Sequence, residues 1–253
     1  MFRSCLTLPV LLASSLSATA MVGGATAADP AMARHIVLIV GSHGTFCTGV
    51  AIARDLVLTA AHCTGPGADY KLMEFDAAHQ PLLRDVARIA RHPQFDLNTL
   101  LGHRATADLA LLKLAAPLGA SFMPAALAPA TVAVGDAFAV VGYGVAIRGD
   151  GKSGGTIRVA KLIATGQPGT LQIRLVDPEA RGERAGLGAC TGDSGAPVFA
   201  PSGGGLAVVG VVSWTTGPKR SEGCGGLTGV TPLVGYLDWI LQMARRMGSP
   251  LAP

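Results

Sequence analysis

Hydrophobic positions fall in short runs along most of this chain. Residues 35–40, 56–59, 109–114, 137–141, 171–176 and 206–214 are rich in Val, Ile and Leu, and Gly, Pro, Ser or Asp bound them. Runs of this length between turn formers predict the strands of an all-β sandwich or barrel. Helical spacing enters only near the end. Val234, Leu237, Ile240, Leu241 and Ala244 recur at three- and four-residue steps, with Pro232 before them and Gly248 after. Those flanks are start and stop signals, so one helix over residues 233–247, packed on a β body, is predicted. The Ala- and Pro-rich residues 118–129 read as a connector between two halves of similar size, with no strict internal repeat. The glycine-rich polar stretch 142–155 is expected to be an exposed loop.

Composition narrows the class. With 49% hydrophobic and 14% charged residues in 253, the chain is neither disordered nor highly charged. Its 34 glycines are scattered, which excludes collagen and fits many turns. The net charge of +4 is spread without a long Lys/Arg run, so no nucleic-acid partner is expected. Arg148-Gly149-Asp150 resembles an adhesion triplet, and Gly151-Lys152-Ser153 resembles the tail of a phosphate loop. The phosphate pattern needs a glycine where Ala146 stands, and both matches read as coincidence.

The first residues carry a targeting pattern. Arg3 precedes a short apolar stretch at 6–16, and Ala18-Thr19-Ala20 follows as a small-residue cleavage site. A signal over residues 1–20 and a secreted product, extracellular or periplasmic, are expected. A second possible cut follows Ala25-Thr26-Ala27. No run is long enough for a membrane span. Cys5 would leave with the signal. Cys47, Cys63, Cys190 and Cys224 remain, an even number that suggests two disulfides in one of three pairings. They lack the close spacing of a structural zinc site.

Three motifs carry chemistry. Leu58-Thr59-Ala60-Ala61-His62-Cys63 presents an imidazole, Asp108 opens the apolar run 109–114, and Cys190-Thr191-Gly192-Asp193-Ser194-Gly195 presents a hydroxyl between glycines. A serine hydroxyl is a weak nucleophile that needs a base to take its proton. Imidazole suits that role near neutral pH, and a carboxylate holds its tautomer. Backbone N–H groups of Gly192 and Ser194 would hold the oxyanion.

The order His, Asp, Ser and the words around them resemble the trypsin/chymotrypsin family across essentially the whole mature chain. Residues 86–93 resemble the strand before its aspartate, and Ser213-Trp214 resembles its substrate-binding strand, where the serine also supports the catalytic aspartate. The resemblance implies an all-β fold of two packed six-stranded antiparallel β-barrels with a C-terminal α-helix. The barrels would occupy residues 21–125 and 126–232, with helix and tail at 233–253. It implies the disulfides Cys47–Cys63 and Cys190–Cys224, with the family's further disulfides missing.

It also implies roles. His62, Asp108 and Ser194 would be catalytic. Met21-Val22-Gly23-Gly24 resembles the family's activated N-terminus, so the Met21 amine would pair with Asp193 once the signal is cut after Ala20. Gly188, Ser213, Trp214, Thr215 and Gly226 would bind substrate. Gly188 lies six positions before Ser194, where trypsin-like relatives carry an acid, so cleavage after uncharged, small to medium apolar residues is expected. Thr215 replaces a frequent glycine and should narrow the entrance. Ala196 departs from the usual second glycine after the nucleophile, an extra methyl expected to be tolerated, although it could perturb packing near the site. The expected protein is a monomeric endopeptidase acting on proteins or peptides, with no cofactor and no metal; most of His35, His43, His79, His92 and His103 are expected on the surface or in loops. Three competitors are weaker. An inactive binding protein on this fold would usually have lost one of the three residues. Adhesion rests on one triplet, and an esterase of another fold lacks its Gly-x-Ser-x-Gly elbow.

Overall fold

The run at residues 35–40 becomes strand β1, Ile36–Gly41, and its unbroken apolar character has a spatial cause. Val37 and Ile39 enter one core with Val57, Leu72 and Leu112. Ile36 and Leu38 face the other way, into a second core with Leu58, Leu111, Phe199 and Val208. A strand buried on both faces reads as continuous rather than alternating hydrophobicity. Each large side chain so withdrawn from water contributes about 1.5–3 kcal/mol.

The computed structural model describes residues 21–251 apart from 76, 77, 79 and 129, so the expected signal at 1–20 lies outside the described residues. After β1 come β2 (Phe46–Ala53), β3 (Leu56–Thr59), β4 (Tyr70–Phe75), β5 (Pro81–Arg91) and β6 (Ala110–Leu114). They close into an antiparallel barrel in the order β1-β2-β3-β6-β5-β4. The second set is β7 (Ala137–Gly142), β8 (Arg158–Thr165), β9 (Ile173–Val176), β10 (Pro197–Ser202), β11 (Gly205–Thr215) and β12 (Thr228–Pro232). These close in the order β7-β8-β9-β12-β11-β10, through the β7–β8 and β7–β10 pairings. Both barrels thus have the same strand order, a duplication that the sequence does not display. Two-strand additions flank the second barrel. Thr26–Ala27 pairs antiparallel with β8, and Ala126–Leu127, inside the expected connector, pairs parallel with β11.

Three apolar clusters organise the molecule. One fills the first barrel and one fills the second, where Val140, Leu162 and Val212 meet Met21. The third lies in the seam between them and takes in the C-terminal helix through Ile240 and Ala244.

The helix differs from expectation. Residues 233–247 form a 3-10 turn, Leu233–Gly235, and then an α-helix, Leu237–Arg246. Tyr236 interrupts them at φ −131° and ψ 0°. Leu233 is fully buried in the seam, and the Tyr236 ring stands edge-on to His92 at 5.0 Å. These contacts fix the kink, which helical periodicity cannot register. The helix follows the second barrel in sequence but docks on the first. Arg88 Nη2 donates to Met247 O at 2.7 Å, and Ser249 Oγ donates to Asp55 Oδ1 at 2.6 Å. His92 is itself buried, and burial pushes its imidazole pKa down.

The glycine-rich stretch also departs from expectation. Residues 142–146 are buried, and exposure begins only at Ile147. Gly151–Ser153 forms a 3-10 turn in which Ser153 Oγ accepts from the N–H groups of Ala146 and Ile147. The serine is therefore engaged in closing its own loop.

Candidate active site

His62 sits in the 3-10 turn Ala61–Thr64 that follows β3. Asp108 lies just before β6, the neighbour of β3, so strand pairing carries the two together. His62 Nδ1 is 2.8 Å from Asp108 Oδ2, and the His62 backbone N–H donates to Oδ1 at 3.0 Å. Ser213 Oγ, from β11 of the other barrel, donates to Oδ2 at 2.6 Å. Asp108 is fully buried, whereas the His62 side chain keeps 20% of its surface. A buried carboxylate requires such partners. Its bond to Nδ1–H leaves Nε2 as the acceptor nitrogen of the ring.

Ser194 comes from the second barrel, on the loop before β10. Its position is clamped across the seam. Thr48 of β2 donates its N–H to Ser194 O at 2.9 Å and its hydroxyl to Gly192 O at 2.8 Å. Gly195 N donates to Val212 O at 2.8 Å. Thr59 Oγ1 donates to Thr48 O, and the two threonines are wholly buried. Gly195 has φ +78°, and a Cβ there would stand 2.0 Å from Thr59 Oγ1. No other residue fits that approach. Ala196, the departure noted in the sequence, is buried in the second barrel's core, so its methyl is accommodated. Thr48 and Thr59 hold the Ser194 loop from the first barrel, and sequence reading passes over both, although Thr59 lies inside a motif that it singles out.

His62 and Ser194 line one cleft of about 440 Å³, together with Phe46, Gly192, Trp214 and Thr215. Among the described residues no hydrogen bond joins the Ser194 hydroxyl to His62 Nε2; such contacts commonly tighten only with substrate bound. Gly192, at φ +95°, is pressed on Phe46, and a Cβ would come within 2.5 Å of that ring. The N–H groups of Gly192 and Ser194 donate to no other described residue, so both are free to meet an oxyanion.

The predicted substrate residues divide. Trp214 and Thr215 line the cleft, and Ser213 serves Asp108. Gly188 and Gly226 are buried. Gly188 faces Gly225 Cα, and a Cβ on Gly226 would fall 2.0 Å from Gly217 O. Thr215 Oγ1 lies 3.0 Å from Ala189 O and 3.1 Å from Leu227 O, a donor shared between two chain segments. That hydroxyl staples the segments together beside the cleft.

Asp193 is fully buried. Its Oδ1 accepts from Gly144 N and its Oδ2 from Cys190 N, both at 2.9 Å. Burial pushes its carboxyl pKa up to about 7 despite those two donors. Among the described residues no cation pairs with it. Met21 is also fully buried, in one cluster with Ala189 and Ala196, and Val22 bridges to Gly188. While residue 20 precedes it, Met21 N is an uncharged amide. Both disulfides are formed, Cys47–Cys63 and Cys190–Cys224. Cys47 and Cys63 crowd His62, but their sulfurs are spent on each other and offer no thiolate to a metal.

The chain matches the family described as Trypsin over residues 21–240. It is 28% identical to human kallikrein-8 over 215 residues, covering 80% of this chain and 78% of that protein. Trypsin II-P29 of Gallus gallus is 28% identical over 250 residues, 94% of each chain. Human serine protease 56 is 32% identical over 255 residues, 90% of this chain but 39% of that longer protein.

Proposed function

This chain belongs to the trypsin family of serine-type endopeptidases, and from that premise we propose that His62, Asp108 and Ser194 carry its catalysis. The observation that carries the proposal is the buried Asp108, held by His62 and Ser213 from opposite barrels at the cleft that Ser194 shares. Ser194 Oγ attacks the scissile carbonyl and gives its proton to His62 Nε2. Asp108 holds the ring by Nδ1–H and stabilises the cation that forms. The carbonyl oxygen, now negative, takes the N–H groups of Gly192 and Ser194. The C–N bond then breaks, the leaving amine takes the proton from His62, and water repeats the sequence on the acyl-enzyme. The chemistry uses no cofactor.

The preference is for small to medium uncharged side chains before the bond cut. Gly188 brings no acid to pair with Lys or Arg, and the stapled Thr215 narrows the space next to Ser194. The protein is secreted, acts as a monomer, and becomes active when its signal is removed after Ala20. Residues 21–27 favour that cut over one after Ala27. The later cut would take away the buried Met21 and Ala25 and the Thr26–Ala27 strand. Gly23 is also pressed on Gly186, where a Cβ would stand 2.2 Å from the carbonyl oxygen. The freed Met21 amine then pairs with Asp193 and orders the oxyanion loop.

Labelling of the secreted protein by a fluorophosphonate tests the reading. Wild type should be labelled and Ser194→Ala should not, with turnover reduced by roughly 10⁴–10⁶-fold. Equal labelling of both would overturn it. N-terminal sequencing of the secreted product should return Met21; Ala28 would end the activation proposal.

A further inference from the structure

Beside the cleft, past Trp214, the surface turns basic. A cavity of about 100 Å³ lies there, lined by His103, Arg174, Trp214 and Arg220. Arg174 and Arg220 also line a larger cavity of about 490 Å³, where Arg181 and Lys219 join them. Trp214 thus connects the cleft to the small cavity, and the two arginines connect the small cavity to the large one. His103 stacks on Trp214, ring centroids 4.9 Å apart and 23° from parallel. Along this path four fixed cations face one carboxylate, Glu183.

Two further observations single out this surface. Among the described residues none of the four cations is in a salt bridge, whereas Lys71, Arg84 and Lys113 pair with Asp85, Glu74 and Asp55. The backbone is also strained here. His103, Arg181 and Lys219 have φ of 51° and Arg220 has 63°, and Met21 is the only other non-glycine residue with positive φ among those described. L-residues rarely adopt that conformation, and outliers of this kind gather at ligand clamps. Lys219 N donates to Gly182 O at 2.7 Å, tying together the loops that carry them.

We propose that this path is an extended substrate groove, in which Arg174 and Arg220, with Arg181 and Lys219 beyond them, take an acidic stretch of the polypeptide being cut. It rests on the protease reading above. Trp214 lines both the Ser194 cleft and the small cavity, so an extended peptide leaving the cleft past Trp214 enters the groove. Continuity with the cleft favours the substrate's own chain over a separate anion. The cations are exposed, so their attraction is modest and screened by salt.

The test uses peptides sharing one cut bond, with Glu or Gln placed at each successive position on either flank. At low ionic strength kcat/KM should favour Glu by roughly three- to tenfold, on one flank only. The ratio should fall toward one in the Arg174→Gln/Arg220→Gln double variant and at about 0.5 M salt. Arg174→Lys/Arg220→Lys should keep most of it. A ratio of one at every position, or one that survives the Gln variant, overturns the groove. Binding of the same peptides to Ser194→Ala, followed by fluorescence anisotropy, separates the two readings. Arginine-dependent binding of acidic peptides without any cleavage by wild type would leave the groove standing and the protease reading fallen. Cleavage of neutral peptides with no acid preference in either measurement would do the reverse.

Discussion

Gly144 lies directly against the Asp193 carboxylate: the Gly144 N–H donates to Asp193 Oδ1 at 2.9 Å, and a Cβ on Gly144 would stand 2.3 Å from Oδ2. The carboxylate cannot retreat, because Cys190 N holds its other oxygen and burial surrounds it. Gly144→Ala should therefore overpack this site and cost about 1–3 kcal/mol of stability. It should also displace the loop that carries Gly192 and Ser194, lowering kcat more than it raises KM. Urea unfolding together with steady-state kinetics checks both, and wild-type values in both would contradict the packing.

The uncleaved chain should lose stability as pH rises. An unfolded aspartate titrates near 3.9, and burial pushes Asp193 up to about 7. Between those values the unfolded chain has released its proton and the folded chain has not. Stability then falls with rising pH through that window and levels off above it. Asp193→Asn in the uncleaved chain should flatten the fall, and so should cleavage before Met21, whose amine favours the carboxylate. Urea midpoints at about pH 4.5 and about pH 7.5 measure the slope. An equal slope in wild type and Asp193→Asn would exclude this carboxyl as its source.

Ser213→Ala removes one donor from Asp108 while leaving the two from His62. A hydrogen bond to a charged group contributes about 1.5–3 kcal/mol, so kcat/KM should fall by about 10- to 100-fold. Ser213→Thr, which restores a hydroxyl, should recover part of the loss. Unchanged kinetics in Ser213→Ala would show that His62 alone suffices to fix the carboxylate.

Thr215→Gly deletes the hydroxyl that lies against Ala189 O and Leu227 O. The space beside Ser194 should widen, and a peptide-library profile should shift toward larger apolar residues before the bond cut. A profile identical to wild type would place the specificity determinant elsewhere.

The strands and the three chemical motifs are legible in the sequence because they depend on local pattern. Short apolar runs bounded by turn formers give the strands, and Gly192 to Gly195 declare a tight turn around a hydroxyl. The resemblance, rather than periodicity, supplies the barrels and the disulfide pairing. Other features escape local pattern. Residues 142–146 look like a polar loop because glycine carries no hydrophobic signal, yet they wall a buried carboxylate. Thr48 and Thr59 look like ordinary strand residues, since a bond from Thr48 to Gly192 spans 144 positions of chain. His103 stands in a stretch with no motif, and only the fold brings it onto Trp214.

By itself the sequence determined which segments extend, where the chain turns and which side chains could react, since these follow from side-chain chemistry and nearest neighbours. Tertiary structure alone decided that Thr48 of one barrel holds Gly192 and Ser194 of the other, that Thr215 staples two segments beside Ser194, and that four cations outside any salt bridge among the described residues line one path from the cleft. Closure of two barrels against each other sets those meetings, and barrel closure joins residues far apart in the chain that no local pattern links.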